Sequence, residues 1–251
     1  MSDTVERFSN RVENYVKYRP DYPGEIIQFL TENCGLTRES IIADIGCGTG
    51  ISSQLFLENG NRVIGVEPNA AMRDAAVKFL VKFPWFIPID GTSDNTTLAD
   101  ASVDMVIAAQ AFHWFNPVTT RSEFHRILKP GGHIVLIWNE RQLDTTPFLV
   151  EYEAFLLKYA HDYGSVRHEN IHVKELSDFF QLEYGAATFK NQQIFDFEGI
   201  KGRMLSASYM PNETDAVFEE MAKELQALFA KHAENGKIKV FYDTKVYFFH
   251  V

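Results

Sequence analysis

The string Asp44-Ile45-Gly46-Cys47-Gly48-Thr49-Gly50 has the residue types and spacing of a ligand loop. Glycines let the backbone turn tightly and let a ligand approach where a Cβ would collide. A nucleotide-type ligand suits such a loop between a strand and a helix. A phosphate loop of the NTPase kind needs Lys and then Ser or Thr after its last glycine, whereas Gly50 is followed by Ile51-Ser52-Ser53. A dinucleotide fingerprint needs its third glycine at position 51, which is Ile, with Gly50 one residue early. That weakens an NAD-dependent oxidoreductase without excluding it.

The elements that position this loop follow from apolar periodicity. Ile41–Ile45 reads as a strand buried on both faces, and the helix after the loop closes at Asn59-Gly60, a left-handed stop. Arg62–Glu67 is a second strand, and Asn69 caps a helix through Leu80. Phe86–Asp90 and Val103–Ala109 are further strands. Asn116 caps a helix to about Leu128 with Pro117 in its first position, Lys129-Pro130-Gly131-Gly132 is a turn, and His133–Trp138 is a fifth strand. This alternation argues for a parallel sheet covered on both faces by helices. After Asn139 the rhythm changes. Residues 140–185 read as mainly helical and rich in aromatics, and Phe189–Phe197 as a strand. Asn212 caps an amphipathic helix that stops at Asn235-Gly236, and Ile238–Val251 is β-type. No repeat or linker interrupts the chain, so 1–251 is expected to be a single domain.

Composition bounds the function. With 251 residues, 45% hydrophobic and 23% charged, the chain is an ordinary globular protein with a substantial core. No apolar stretch approaches the roughly 20 residues needed to span a bilayer, and Met1 to Arg11 lack a signal-peptide core, so no membrane partner and a cytoplasmic location are expected. Cys34 and Cys47 have no metal-ligand spacing, so no metal is expected, and Cys47 reads as a small residue that fits its loop. A net charge of −10 disfavours a nucleic-acid partner.

The glycine loop resembles the DxGxGxG motif of class I S-adenosylmethionine-dependent methyltransferases. Within that family the chain looks most like the small-molecule branch typified by trans-aconitate methyltransferase. The resemblance runs through Tyr15-x3-Arg19-Pro20-x-Tyr22-Pro23, the loop, Gly65-Val66-Glu67-Pro68-Asn69, Ala109-Gln110-Ala111-Phe112-His113-Trp114-Phe115 and Leu128-Lys129-Pro130-Gly131-Gly132. Leu205-Ser206-Ala207-Ser208-Tyr209-Met210-Pro211 resembles a segment late in that branch. The resemblance implies a Rossmann-like, doubly wound α/β fold: a mostly parallel seven-stranded sheet with an antiparallel last strand and helices on both faces. It also implies S-adenosylmethionine as cofactor, S-adenosylhomocysteine as product and a small-molecule acceptor.

Site residues carry over position by position. Glu67 ends the second strand beside the loop, where a carboxylate can accept from both ribose hydroxyls. A solvated strand-end Glu is its plain alternative. Asp44 acts through the loop on the methionine-moiety amine, and Gly46, Cys47, Gly48 and Gly50 give backbone access. Pro68 belongs to the same cofactor-binding motif, and Met72 packs against adenine or ribose or is simply core. Thr92 and Ser93 stand where the family contacts adenine, with Thr92 in place of the usual acidic residue. Tyr15 and Arg19 belong to an N-terminal helical lid over residues 1–30, in which Arg19 pairs with the cofactor carboxylate. The Gln110 carbonyl meets the cofactor ammonium. His113 is the candidate catalytic residue, at the sheet edge where ligands bind, and is read equally as a packed histidine.

The segment 140–185, with Tyr152, Phe155, Tyr159, Phe179, Phe180 and Tyr184, is expected to cover the acceptor, and Arg141 to anchor an acceptor carboxylate. Methyl transfer from a sulfonium is an in-line displacement that alignment and desolvation accelerate without an acid. The branch implies O-methylation of a carboxylic acid, with His113 orienting the acceptor. A cofactor-binding sensor or scaffold that has lost transfer stays open, and the oligomeric state does not follow from the sequence.

Overall fold

The computed structural model describes residues 12–161, 176 and 179–251. Its strands are β1 (Ile41–Ile45), β2 (Arg62–Val66), β3 (Phe86–Ile89), β4 (Val103–Ala109), β5 (Leu128–Arg141), β6 (Tyr184–Phe195) and β7 (Ile238–His250). They form one seven-stranded sheet in the order β3-β2-β1-β4-β5-β7-β6. β7 lies antiparallel between β5 and β6, and the remaining pairs are parallel. The order reverses between β2-β1 and β1-β4, and crevices for ligands open at such a switch point, beyond the carboxyl ends of the strands. Register there is specific: Asp44 lies opposite Gly65 and Ile45 opposite Val66, so the glycine loop emerges beside Glu67.

Alternate residues of the central strands feed two cores. Ile42, Met105, Ile107, Val135 and Ile137 pack with Ile26 and Leu30 of α2 (Glu25–Cys34), the helix after α1 (Val12–Tyr18), and with Phe56 and Leu57 of α3 (Ile51–Asn59). Ala43, Ile45, Val106, Ile134 and Leu136 pack on the other face with Phe124 and Ile127 of α5 (Pro117–Ile127) and with Phe180. Each fully buried aliphatic or aromatic side chain contributes about 1.5–3 kcal/mol of transfer free energy. A third core joins α6 (Pro147–Tyr159), α7 (Phe197–Leu205) and α8 (Phe218–His232) to Ile238, Val240 and Tyr242 of β7.

Caps set the helix starts. Asn69 accepts from Ala71 and Met72 N–H at the head of α4 (Ala70–Phe79), and Asn116 accepts from Val118 and Thr119 N–H ahead of α5. The short α1 (Val12–Tyr18) lies against α7, where a Cβ on Gly202 would meet the Tyr18 ring at 2.0 Å.

Five sequence expectations are corrected. Asn212 does not cap the amphipathic helix: its N–H donates to Asp215 Oδ2 at 2.7 Å in a turn, and α8 begins only at Phe218. Asn235-Gly236 does not stop that helix, which ends at His232. Asn235 at φ 51° and Gly236 at φ 71° form a two-residue turn closed by hydrogen bonds between Glu234 and Lys237. Lys129-Pro130-Gly131-Gly132 is an irregular stretch inside β5, where Leu128 pairs with Val103 but His133 with Met105. β5 also runs past Trp138, because Asn139, Glu140 and Arg141 pair with Thr244, Asp243 and Tyr242 of β7. β6 starts five residues earlier than expected, at Tyr184 rather than Phe189, since pairing with β7 extends to Phe249.

Candidate functional site

A cavity of about 240 Å³ opens at the switch point. The glycine loop contributes Gly46, Cys47, Gly48 and Thr49, and the end of β2 with α4 contributes Glu67, Pro68, Asn69 and Met72. The segment after β4 adds Gln110, Ala111, Trp114 and Phe115, and the α1 region adds Tyr15, Arg19, Pro20 and Tyr22. The end of β5 and the α7 region complete it with Asn139, Glu140, Arg141, Leu143, Arg203 and Tyr209.

Glu67 is the best-defined group. Its Oε2 accepts from Gly48 N–H at 3.0 Å and its Oε1 from Asn69 N–H at 2.9 Å, which orients the carboxylate. Burial raises its pKa, opposed by those two donors and by the Arg73 charge. A carboxylate offers about four lone-pair sites, so two stay available for hydroxyl donors.

Asp44 is fully buried below the loop and does not line the cavity. Its Oδ2 accepts from Ser52 and Ser53 hydroxyls at 2.7 Å each, while Oδ1 has no partner among the described residues. Burial raises its pKa to about 6 against the pull of the two serines. Gly48, at φ 55°, faces open space, as a backbone contact surface must. Gly50 is different: it stays outside the cavity lining, and at φ 85° a Cβ there would meet Leu80 Cδ1 at 2.6 Å, so a glycine here allows tight packing of α3 on α4's end.

Residues 43–136 match the family described as methyltransferase domain. An uncharacterised methyltransferase-like protein of Schizosaccharomyces pombe, C25B8.10, is 29% identical over 248 residues, 97% of this chain and 94% of that protein. Mb3374, an uncharacterised methyltransferase of Mycobacterium bovis, is 36% identical over 134 residues, 53% of this chain and 52% of its own, so the alignment spans about half of that relative. The solved structure of a candidate type II methyltransferase from Anaeromyxobacter dehalogenans shares the fold, with a TM-score of 0.69 and 20% identity over 93% of this chain and 98% of that one. The matched domain and these relatives together indicate an S-adenosylmethionine-dependent methyltransferase.

S-adenosylmethionine is the cofactor of this methyltransferase, and the cavity fits it: a buried carboxylate with spare lone pairs, a backbone cradle at Gly48, and, among its lining residues, buried polar atoms without a partner at Thr49 Oγ1, Gln110 Oε1 and Arg19 Nε. Gln110 holds a left-handed φ of 56°, strain of the kind that marks ligand sites, and its side-chain amide donates to Asn139 O at 3.0 Å. Arg19 lies 4.8 Å over the Tyr15 ring and donates to Ser206 O at 2.9 Å. Burial, and then the neighbouring Arg203 charge, lower its pKa.

Other expected residues fall elsewhere. Thr92 and Ser93 do not line the cavity; the Thr92 hydroxyl donates to Asp94 at 2.6 Å, and Ser93 Oγ accepts from Thr120 at 2.9 Å. His113 is also outside the lining, in a short 3₁₀ turn with its ring 4.7 Å from that of Trp114, which does line it. Tyr152, Phe155 and Tyr159 are core of the third cluster, Phe179 and Phe180 pack on Phe112, and none of them lines the cavity. Tyr184 packs edge-to-face on Tyr247 of β7. Arg141 reaches the cavity but is ion-paired with Glu153. The first eleven residues of the expected lid, and residues 162–175, 177 and 178 of the expected cover, lie outside the described residues. Sequence reading missed Arg203 and Glu140 as cavity residues. Nothing in a helical Arg signals a pocket, although the nearby Leu205–Pro211 string bears the family resemblance.

No helix among the described residues is long and apolar enough to cross a membrane, and no cluster of His, Cys, Asp or Glu among them could hold a metal.

Proposed function

We propose that this methyltransferase, as one unit over residues 1–251, methylates a carboxylate oxygen of a small organic acid. The observation that carries a small-molecule acceptor is the concave crevice of about 240 Å³ at the switch point, the kind of site that takes small ligands. The net charge of −10 agrees with a partner other than nucleic acid.

The carboxylate assignment rests on the lack of an available base among the described residues that line the cavity. His113 stands outside the lining. Glu67 accepts from two backbone donors and, in this reading, from the ribose hydroxyls, and Glu140 is paired with Lys245. An acceptor with a reference pKa near 4 is ionised at neutral pH and attacks without giving up a proton.

S-adenosylmethionine supplies an electrophilic methyl group on a sulfonium. Glu67 accepts from the ribose hydroxyls, Arg19 pairs with the methionine carboxylate, and Asp44 and the Gln110 carbonyl favour the ammonium. Gly46, Cys47 and Gly48 give the cofactor a backbone surface, with Pro68 and Met72 against the nucleoside and Tyr15 holding Arg19. His113 serves only to brace Trp114. Thr92 and Ser93 take no cofactor contact through their side chains.

The test is a melting-temperature series with S-adenosylhomocysteine, NAD and ATP, followed by turnover of S-adenosylmethionine with panels of acids, phenols and amines. Only S-adenosylhomocysteine should stabilise the fold, because only native-state ligands do so, and only acids should turn over. Stabilisation by NAD alone, or turnover of phenols or amines with no acids, overturns the reading. Cofactor binding with no turnover of any panel favours a sensor.

A further inference from the structure

Among the described residues three guanidinium groups reach the cavity, and their surroundings differ. Arg141 is neutralised by Glu153 and lies 5.4 Å over the Tyr152 ring. Arg19, from the segment after α1, donates to Ser206 O and rests on Tyr15. Arg203, from α7, has no carboxylate partner among the described residues. Its Nε donates to Tyr242 Oη at 3.3 Å, Tyr242 donates onward to Gln193 Oε1 at 2.8 Å, and Gln193 Nε2 donates to Tyr18 O at 3.1 Å. Tyr242 is fully buried. This relay holds the guanidinium by its Nε edge. Its two terminal amino groups make no hydrogen bond among the described residues and remain for a ligand.

A planar fork with both terminal groups available matches a carboxylate. Arg19 and Arg203 also face one another closely enough for the charge of Arg203 to be felt at Arg19. Two like charges in one part-buried cavity need counter-charges, because an unpaired charge withdrawn from water is costly. The cofactor brings one carboxylate, which Arg19 takes in the reading above. The second has to come from the acceptor.

We propose that Arg203 is the acceptor-binding residue of this methyltransferase, anchoring a carboxylate of the acceptor in the part of the cavity that Tyr209 also lines. Arg141, already neutralised, does not serve that purpose. The proposal rests on the methyltransferase reading above.

The test uses the full chain saturated with S-adenosylhomocysteine, titrated calorimetrically with succinate, benzoate and hexanoate and with the corresponding primary amides. Wild type should bind at least one acid in preference to its amide. R203Q should weaken that acid roughly ten- to a hundredfold, the scale of a lost charge-assisted hydrogen bond, while its S-adenosylhomocysteine affinity stays near the wild-type value. R203K, which keeps the charge without the fork, should fall between, and guards against misfolding of R203Q. Three outcomes overturn the assignment: no acid is preferred to its amide, both variants bind the acid like wild type, or R203Q loses S-adenosylhomocysteine as strongly as the acid. The last would give Arg203 to the cofactor carboxylate. Failure of wild type to bind S-adenosylhomocysteine at all is a separate result, and removes the methyltransferase reading itself.

Discussion

The backbone N–H of Gly48 donates to Glu67 Oε2 at 3.0 Å, so the glycine loop and the end of β2 are joined through one carboxylate. The same group that is proposed to take the ribose also holds the loop in shape. Glu67→Ala should therefore weaken S-adenosylhomocysteine binding by about 1–3 kcal/mol, and should lower the melting temperature as Gly48 and Asn69 N–H lose their acceptor. Calorimetry on the folded variant checks the first effect. Unchanged affinity would show that the ribose binds elsewhere.

Asp44 gives a pH-dependent prediction. Its pKa is 3.8 unfolded and about 6 folded. The folded state thus holds the proton more tightly, and the resulting stability is fully present below pH 3.8 and lost as pH rises through about 6. At neutral pH the ionised carboxylate then costs on the order of 3 kcal/mol. Asp44→Asn, which does not titrate, should gain melting temperature relative to wild type between pH 4 and 7, whereas its cofactor affinity at pH 7.5 should fall. Melting curves across that range decide it, and a difference independent of pH would refute the buried-charge account.

Arg19 ties the N-terminal region to the end of α7 through Ser206 O at 2.9 Å. Arg19→Ala should raise the cofactor dissociation constant about tenfold or more, the scale of a lost hydrogen bond to a charged group. It should also speed proteolysis on the N-terminal side of Glu25. Mass spectrometry of a limited digest, with and without S-adenosylhomocysteine, reads both effects. Wild-type behaviour in both would show that Arg19 does not hold the cofactor.

His113 lies beside Trp114 and off the cavity lining. His113→Gln should keep most activity and leave the pH profile of kcat/KM unchanged, with His113→Ala losing somewhat more through a displaced Trp114. A wild-type profile rising near pH 6.5 that flattens in His113→Gln, with severe loss of activity, would instead identify a general base.

The first half of the fold is legible in the sequence because its signals are local. The run Ile41–Ile45, the caps Asn69 and Asn116 and the glycine loop each specify conformation within a few residues, and the elements they mark form where expected. Other features depended on long-range pairing. β5 continues through Asn139, Glu140 and Arg141 only because β7 pairs with them, and that extension brings these residues to the cavity. Asn235-Gly236 reads equally as a helix stop or a tight turn, since both need left-handed backbone; the contacts between Glu234 and Lys237 select the turn. Among the charged groups, local sequence singles out Glu67 by its place after a strand and the glycine loop. It does not distinguish Arg141 from Arg203. Only tertiary packing sets Glu153 against Arg141 and Tyr242 against Arg203 Nε, because an ion pair or a relay depends on which helices meet, not on which residues are neighbours in the chain.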